Sequence, residues 1–186
     1  SNRAKSVIED INEVKFKQTP VIFVPSCVDL NHFSNPKTSS VTTAVKLKFV
    51  YMGSVGDRYT LDQIGRFVSC LRDENKQVEL QIYSRADKKL ITNMLQSGGL
   101  NENMWTYSSL SYSEVPQHLK LHDVGLFFLK RGISEHGCSP TKIGEYWAMG
   151  LPVITTPNVS DIDDIIRAEN VGVIINEQTK EEYIKA

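Results

Sequence analysis

Short apolar runs alternate with helix-period segments along nearly the whole chain, and this alternation constrains the fold most. The runs are 47–52 (LKFVYM), 78–83 (VELQIY), 104–107 (MWTY), 124–129 (VGLFFL), 153–155 (VIT) and 171–175 (VGVII). Between them, apolar residues recur at helical spacing over about 60–74, 88–96, 112–121, 139–150 and 161–168, and a further helix begins at 179. The run VGLFFL is apolar without interruption, as in a parallel strand covered on both faces. Parallel neighbours need helical crossovers, so the pattern predicts an α/β, Rossmann-like, doubly wound sheet. Its simplest strand order is 3-2-1-4-5-6. The winding then reverses between the first and fourth strands. The loops leaving those strands are 53–59 (GSVGDRY) and 130–139, and ligands bind at such a switch point.

Two segments precede this pattern. Val7, Ile8, Ile11 and Val14 have helical spacing, which predicts a helix over 3–16. Residues 21–24 (VIFV), between Pro20 and Pro25, predict a short strand, and the Ser/Thr-rich 34–44 a surface loop. The chain is therefore divided into a leading helix, 1–20, and one α/β domain, 21–186.

The stretch 138–156 (CSPTKIGEYWAMGLPVITT) carries the candidate chemistry. Ser139 is the expected N-cap, with Pro140 at the first helical position. Thr141 and Lys142 complete an exposed polar first turn. Free amides, the positive dipole end and one ammonium make this helix start an anion site, formed by Ser139, Pro140, Thr141 and Lys142. Glu145 lies three residues beyond Lys142 on the same face, where its carboxylate can accept from vicinal hydroxyls such as those of a ribose. Ile143, Trp147 and Ala148 are expected to turn inward. Gly150 ends the helix and Pro152 prevents its restart. On the other loop, Gly53, Ser54 and Gly56 suit close approach of backbone to a ligand, and Thr60 or Asp62 can cap the next helix.

The bulk properties bound the rest. Net charge is −1 over 186 residues, with the basic residues scattered, so no nucleic-acid footprint is expected. No apolar run reaches membrane-spanning length. Ser1-Asn2 reads as an expression remnant, and no signal peptide is expected. Cys27, Cys70 and Cys138 are odd in number and far apart, which fits reduced thiols in a cytoplasmic protein. His32, His118, His122 and His136 show no metal-ligand spacing, and no metal is expected.

The run SPTKIGEYWAMGLPVI resembles the donor-site signature of retaining, family-four-like glycosyltransferases of the GT-B class, whose general form ends in A-x-G-x-P-V-I. The segment PSCVDLNHF, 25–33, resembles the P-N-G-V-D-x-x-x-F segment with which these enzymes enter their C-terminal domain. Ser26 and Cys27 stand here in place of Asn and Gly. The strings G-S-x-G-x-x-Y and S-P-T-K resemble one subset of the family. The likeness extends over about 21–175. It implies the C-terminal, nucleotide-sugar-binding half of a two-domain transferase of polysaccharide biosynthesis. The donor would be a nucleoside-diphosphate sugar, and no cofactor is needed. The partner would be a missing N-terminal acceptor domain, to which any membrane-surface association would belong. A fragment of this kind should be folded, monomeric and inactive alone. By the same resemblance Arg58 and Lys142 stabilise the diphosphate leaving group as it gains charge. Gly53-Ser54 replaces the family's Gly-Arg, and Arg58 substitutes for that arginine approximately. Gly137 occupies the position of the family's first glutamate, eight before Glu145, with Glu135 and His136 beside it.

Other readings are weaker. Cys138 and His136 flank a helix start, where a thiolate is favoured, but no third group is evident to aim a base. A dinucleotide fold is disfavoured, because G-x-G-x-x-G is missing after the first strand and Tyr83-Ser84-Arg85 replaces an acidic residue after the second. The alternative from another class is a non-catalytic nucleotide- or protein-binding module. Phe127-Phe128 and Tyr146-Trp147 are expected in the core.

Overall fold

The computed structural model describes residues 2, 5, 6, 8, 22, 24–34, 46–132 and 137–186. Six strands form one sheet: β1 (Leu47–Met52), β2 (Val78–Tyr83), β3 (Trp105–Ser108), β4 (Val124–Phe127), β5 (Val153–Thr155) and β6 (Gly172–Ile174). Their order is β3-β2-β1-β4-β5-β6, and every pairing is parallel. This is the predicted Rossmann-like order. The helices are α1 (Leu61–Asp73), α2 (Lys88–Ser97), α3 (Val115–Leu119), α4 (Thr141–Ala148), α5 (Ile162–Glu169) and α6 (Lys180–Lys185).

The strands are apolar on both faces because both are covered. Along β1, Phe49 and Tyr51 enter one core with Leu61, Ile64, Phe67, Val68 and Leu71 of α1. Val50 and Met52 enter the other with Ile143 and Tyr146 of α4 and Ile162 and Ile166 of α5. The alternation follows from the period-two geometry of a strand. Burying each such side chain contributes roughly 1.5–3 kcal/mol relative to exposure.

The switch point has a visible physical form. β1 pairs with β2 from Leu47 to Met52, but with β4 only at Phe49–Val124 and Val50–Gly125. Beyond that the two strands part. The Met52 amide, left without a ladder partner there, donates to Tyr146 Oη at 2.8 Å. Gly125 makes room for that ring, since a Cβ there would stand 2.5 Å from Tyr146 Cδ2. The tyrosine thus fastens α4 across the divergence of β1 and β4. Tyr146→Phe should leave a buried amide unpaired and cost about 1–3 kcal/mol. Urea unfolding measures this, and an unchanged midpoint would remove the tyrosine from that role.

α4 ends in a Schellman motif. Gly150, at φ 74°, donates to Trp147 O, and Leu151 N donates to Tyr146 O, both at 2.9 Å. Trp147 is half-buried and donates from Nε1 to Val171 O at 3.0 Å, so Tyr146 rather than Trp147 fills the core. The start of α4 differs from expectation. Pro140 is extended and occupies the N-cap position, and the helix begins at Thr141 with no side-chain cap. Ser139 is engaged from far away in sequence: Ser26 N donates to Ser139 Oγ at 3.4 Å and Ser26 Oγ to Ser139 O at 3.0 Å.

Other boundaries shift for similar reasons. β4 stops at Phe127 because the chain turns to meet 53–60: Thr60 N donates to Phe128 O, and Leu129 bridges Tyr59 antiparallel. Thr60 sits at the N-cap of α1 but makes no side-chain cap bond. Glu102–Met104 is a 3-10 turn, so β3 begins at Trp105. Glu114 accepts from Ser111 N and Oγ, which starts a 3-10 turn before α3. Ile22 and Val24 are exposed and lie outside any strand. The predicted 3–16 helix, the 34–44 loop, Glu135 and His136 lie wholly or largely outside the described residues.

Candidate functional site

The two switch-point loops meet at Lys142. A Cβ added to Gly53 would overlap Lys142 Nζ, so the absence of a side chain there lets the ammonium lie against the end of β1. Gly53 also has φ 138°, a conformation that L side chains rarely adopt. Its amide donates to Tyr83 O at 2.9 Å, which ties the turn to β2. Gly56 is different, since a Cβ there would meet nothing within 4 Å. Ser54 is exposed, and its carbonyl accepts from Tyr51 Oη at 2.6 Å.

Lys142 is not on an exposed turn as its helical position predicts. Its Nζ is buried and has no hydrogen-bond partner among the described residues. Three rings enclose it, with centroids at 5.1 Å (Tyr51), 4.3 Å (Tyr59) and 5.2 Å (Phe127). Tyr51 comes from β1, Phe127 from the end of β4, and Tyr59 from the turn between β1 and α1. Burial lowers the lysine from about 10.5 to about 8, against the opposing pull of Glu145 and Cys138. Cation–π attraction offsets part of the lost hydration, by about 2 kcal/mol for a desolvated contact. A bare ammonium in such a place lacks the hydrogen bonds that an anion would supply.

Glu145 lies one turn further along α4. It is half-buried, and burial raises its carboxyl above the ordinary value while Lys142 and His32 draw it down. Because Nζ has no hydrogen-bond partner, Glu145 is not engaged in a hydrogen-bonded ion pair with Lys142. The first-turn amides of Thr141 and Lys142 have no i−4 carbonyl within the helix. Thr141 and Ser139 are exposed beside them. Arg58 is exposed on the turn, and its carbonyl accepts from Lys130 N at 2.9 Å. The structure therefore joins Gly53, Lys142, Glu145 and the start of α4, with Arg58 at the rim of the turn.

The sequence reading missed the aromatic enclosure and one histidine. His32 stacks on Tyr112 at 4.3 Å between centroids, and its Nε2 lies 3.0 Å from Tyr112 O. Phe33 beside it is fully buried, so the 25–33 segment docks along the cleft. The tyrosine of G-S-x-G-x-x-Y was the one available signal for Tyr59. Beside Gly53, a recess of about 420 Å³ opens at the ends of β1 and β2, lined by Ser54, Tyr83, Arg85, Leu110 and Val115 among others. Among the described residues no group of three or more His, Cys, Asp or Glu could hold a metal. No helix among them is long and apolar enough to cross a membrane.

A sequence model of the family described as glycosyl transferases group 1 matches residues 46–186. The chain belongs to this family. No curated protein matches the chain in sequence. Among solved structures it is similar to WaaG, "a glycosyltransferase involved in lipopolysaccharide biosynthesis", at 15% identity and TM-score 0.69, over 96% of this chain and 49% of WaaG. It is similar to a point mutant of S. aureus TarM, solved in complex with UDP among other ligands, at 14% identity and TM-score 0.64, over 96% of this chain and 34% of TarM. It is also similar to the C-terminal domain of LpcC from Francisella tularensis, at 14% identity and TM-score 0.56, over 85% of this chain and 84% of that domain. At these identities the likeness establishes a shared fold, that of GT-B C-terminal domains. The group 1 chain described here spans about half the length of WaaG and a third of TarM.

Proposed function

We propose that this group 1 chain is the donor-binding half of a retaining glycosyltransferase, which moves a sugar from a nucleoside-diphosphate sugar to an acceptor held by a separate N-terminal domain. The observation that carries this reading is the buried Lys142 ammonium between Gly53 and the start of α4, which has no hydrogen-bond partner among the described residues. A diphosphate would supply its missing acceptors and lie at the free amides of α4. Charge that develops on the leaving group is then met by Lys142 and the helix dipole, with Arg58 at the rim. Glu145 would hold the ribose, and the recess of about 420 Å³ has room for the remainder of the nucleotide. No metal is assigned a role. Because the acceptor would sit on that separate domain, the chain alone should bind donor without transferring sugar.

Thermal melts with a panel of nucleoside diphosphates test this directly. UDP comes first, because it is present in the complexes of TarM and of the pneumococcal transferase GtfA. A ligand at a hundred times its dissociation constant adds about 2.7 kcal/mol of stability. Panel-wide absence of a shift would contradict the reading, and so would sugar transfer by the chain alone.

A further inference from the structure

The Lys142 ammonium is out of reach as it stands. Its Nζ is buried, so no ligand can touch it without a movement. Two walls of its enclosure are built into the sheet: Tyr51 and Phe127 are both fully buried. The third wall is not. Tyr59 is half-buried, sits on the turn after β1, and packs edge-on against Tyr51 at 6.4 Å and Phe127 at 6.2 Å. It is also the ring nearest the ammonium. The turn is fastened to the neighbouring loop through the Tyr59–Leu129 bridge and the Lys130 N to Arg58 O bond. A lysine side chain is long and flexible, whereas this turn is pinned at both ends. Outward rotation of the lysine is therefore the smaller rearrangement.

We propose that Tyr59 is a positioning residue that, with Tyr51 and Phe127, holds the Lys142 ammonium withdrawn while the site is empty, and that a diphosphate draws the ammonium out of this enclosure. The inference rests on the functional reading above, in which Lys142 meets the diphosphate. Phosphate oxygens offer the charge-assisted hydrogen bonds that three rings cannot. The exchange takes the cation from ring faces to charge-assisted hydrogen bonds, so each diphosphate that binds brings its own counter-ion into place. Among the described residues, the titratable side chains around Lys142 are Tyr51 and Tyr59, through their rings, with Glu145 and Cys138 acting on its charge.

The test is NMR of the chain labelled with ¹³C at lysine Cε, with the Lys142 signal assigned by its loss in Lys142→Arg. In the empty chain the ring currents should place the Lys142 methylene upfield of the other lysines. Saturation with inorganic pyrophosphate should return it to the ordinary range. Its titration should rise toward that of a free lysine in Tyr59→Ala and be restored near that of the parent in Tyr59→Phe. Suppose pyrophosphate binds by calorimetry, Lys142→Met weakens it at least tenfold, and the signal nevertheless stays upfield. The withdrawal mechanism is then overturned while the functional reading stands. Pyrophosphate that fails to bind, or binds Lys142→Met as well as the parent, overturns the functional reading and this inference with it.

Discussion

Lys142→Met is expected to stabilise the empty chain and to abolish its affinity for diphosphates. An unfolded lysine titrates near 10.4, whereas burial brings Lys142 to about 8. Between about pH 8 and 10.4 the unfolded chain therefore binds more protons than the folded one, and stability rises with pH across that window. Below about pH 8 the full cost of holding a buried cation is present. The difference in proton affinity corresponds to at most on the order of 3 kcal/mol. Methionine keeps the length of the side chain, removes the charge and suits an enclosure of three rings. A gain of roughly 1–3 kcal/mol is expected at pH 7, or about 2–4 °C in Tm per kcal/mol for a chain of this size. The gain should shrink as pH is raised toward 10. A lysine retained for stability would behave oppositely, so a fall in Tm for Lys142→Met would refute its assignment as a functional cation.

Glu145→Gln is expected to weaken nucleoside-diphosphate binding tenfold or more and to leave pyrophosphate binding unchanged. A hydrogen bond to a charged acceptor contributes about 1.5–3 kcal/mol, and a ribose offers two hydroxyls. Tenfold is about 1.4 kcal/mol, so even one such bond suffices. The bland alternative is a surface pairing of Glu145 with Lys142, worth below about 1 kcal/mol. The absence of a hydrogen bond at Lys142 Nζ already weakens that alternative. Burial disfavours the charged carboxylate, so the amide should be tolerated and the Tm of the empty chain should barely move. Calorimetry with both ligands decides the matter. Equal losses for nucleotide and pyrophosphate would mean that Glu145 acts through the helix start, and the ribose assignment would fall.

The sheet was legible because its signals are local. Doubly buried runs such as VGLF and VIT have one strand reading, and right-handed crossovers leave few ways to order six of them. The meeting of the glycine turn with the start of α4 followed from that order alone. What failed was whatever depends on residues distant in sequence. Ser139 has every local attribute of an N-cap, yet its hydroxyl and carbonyl are taken by Ser26, so the helix starts one residue later than expected, at Thr141. Lys142 lies on the polar face of an isolated helix, but the rings that bury it come from β1, β4 and the turn between β1 and α1. Tyr146 reads as core and is core, yet its bond to Met52 N exists only because β1 and β4 part at that point. The role of Arg58 rests on likeness to a motif, and its exposed place at the rim is a looser position than that of Lys142.

The central claim is that a nucleoside diphosphate binds where the winding of the sheet reverses. Amide chemical-shift mapping of the ¹⁵N-labelled chain during a UDP titration tests it most directly. The account predicts saturable shifts concentrated at Gly53, Ser54 and Gly56 and at Ser139, Thr141, Lys142 and Glu145. Shifts concentrated instead at the opposite ends of the strands, around Lys46, Lys48 and Gly172, would contradict it.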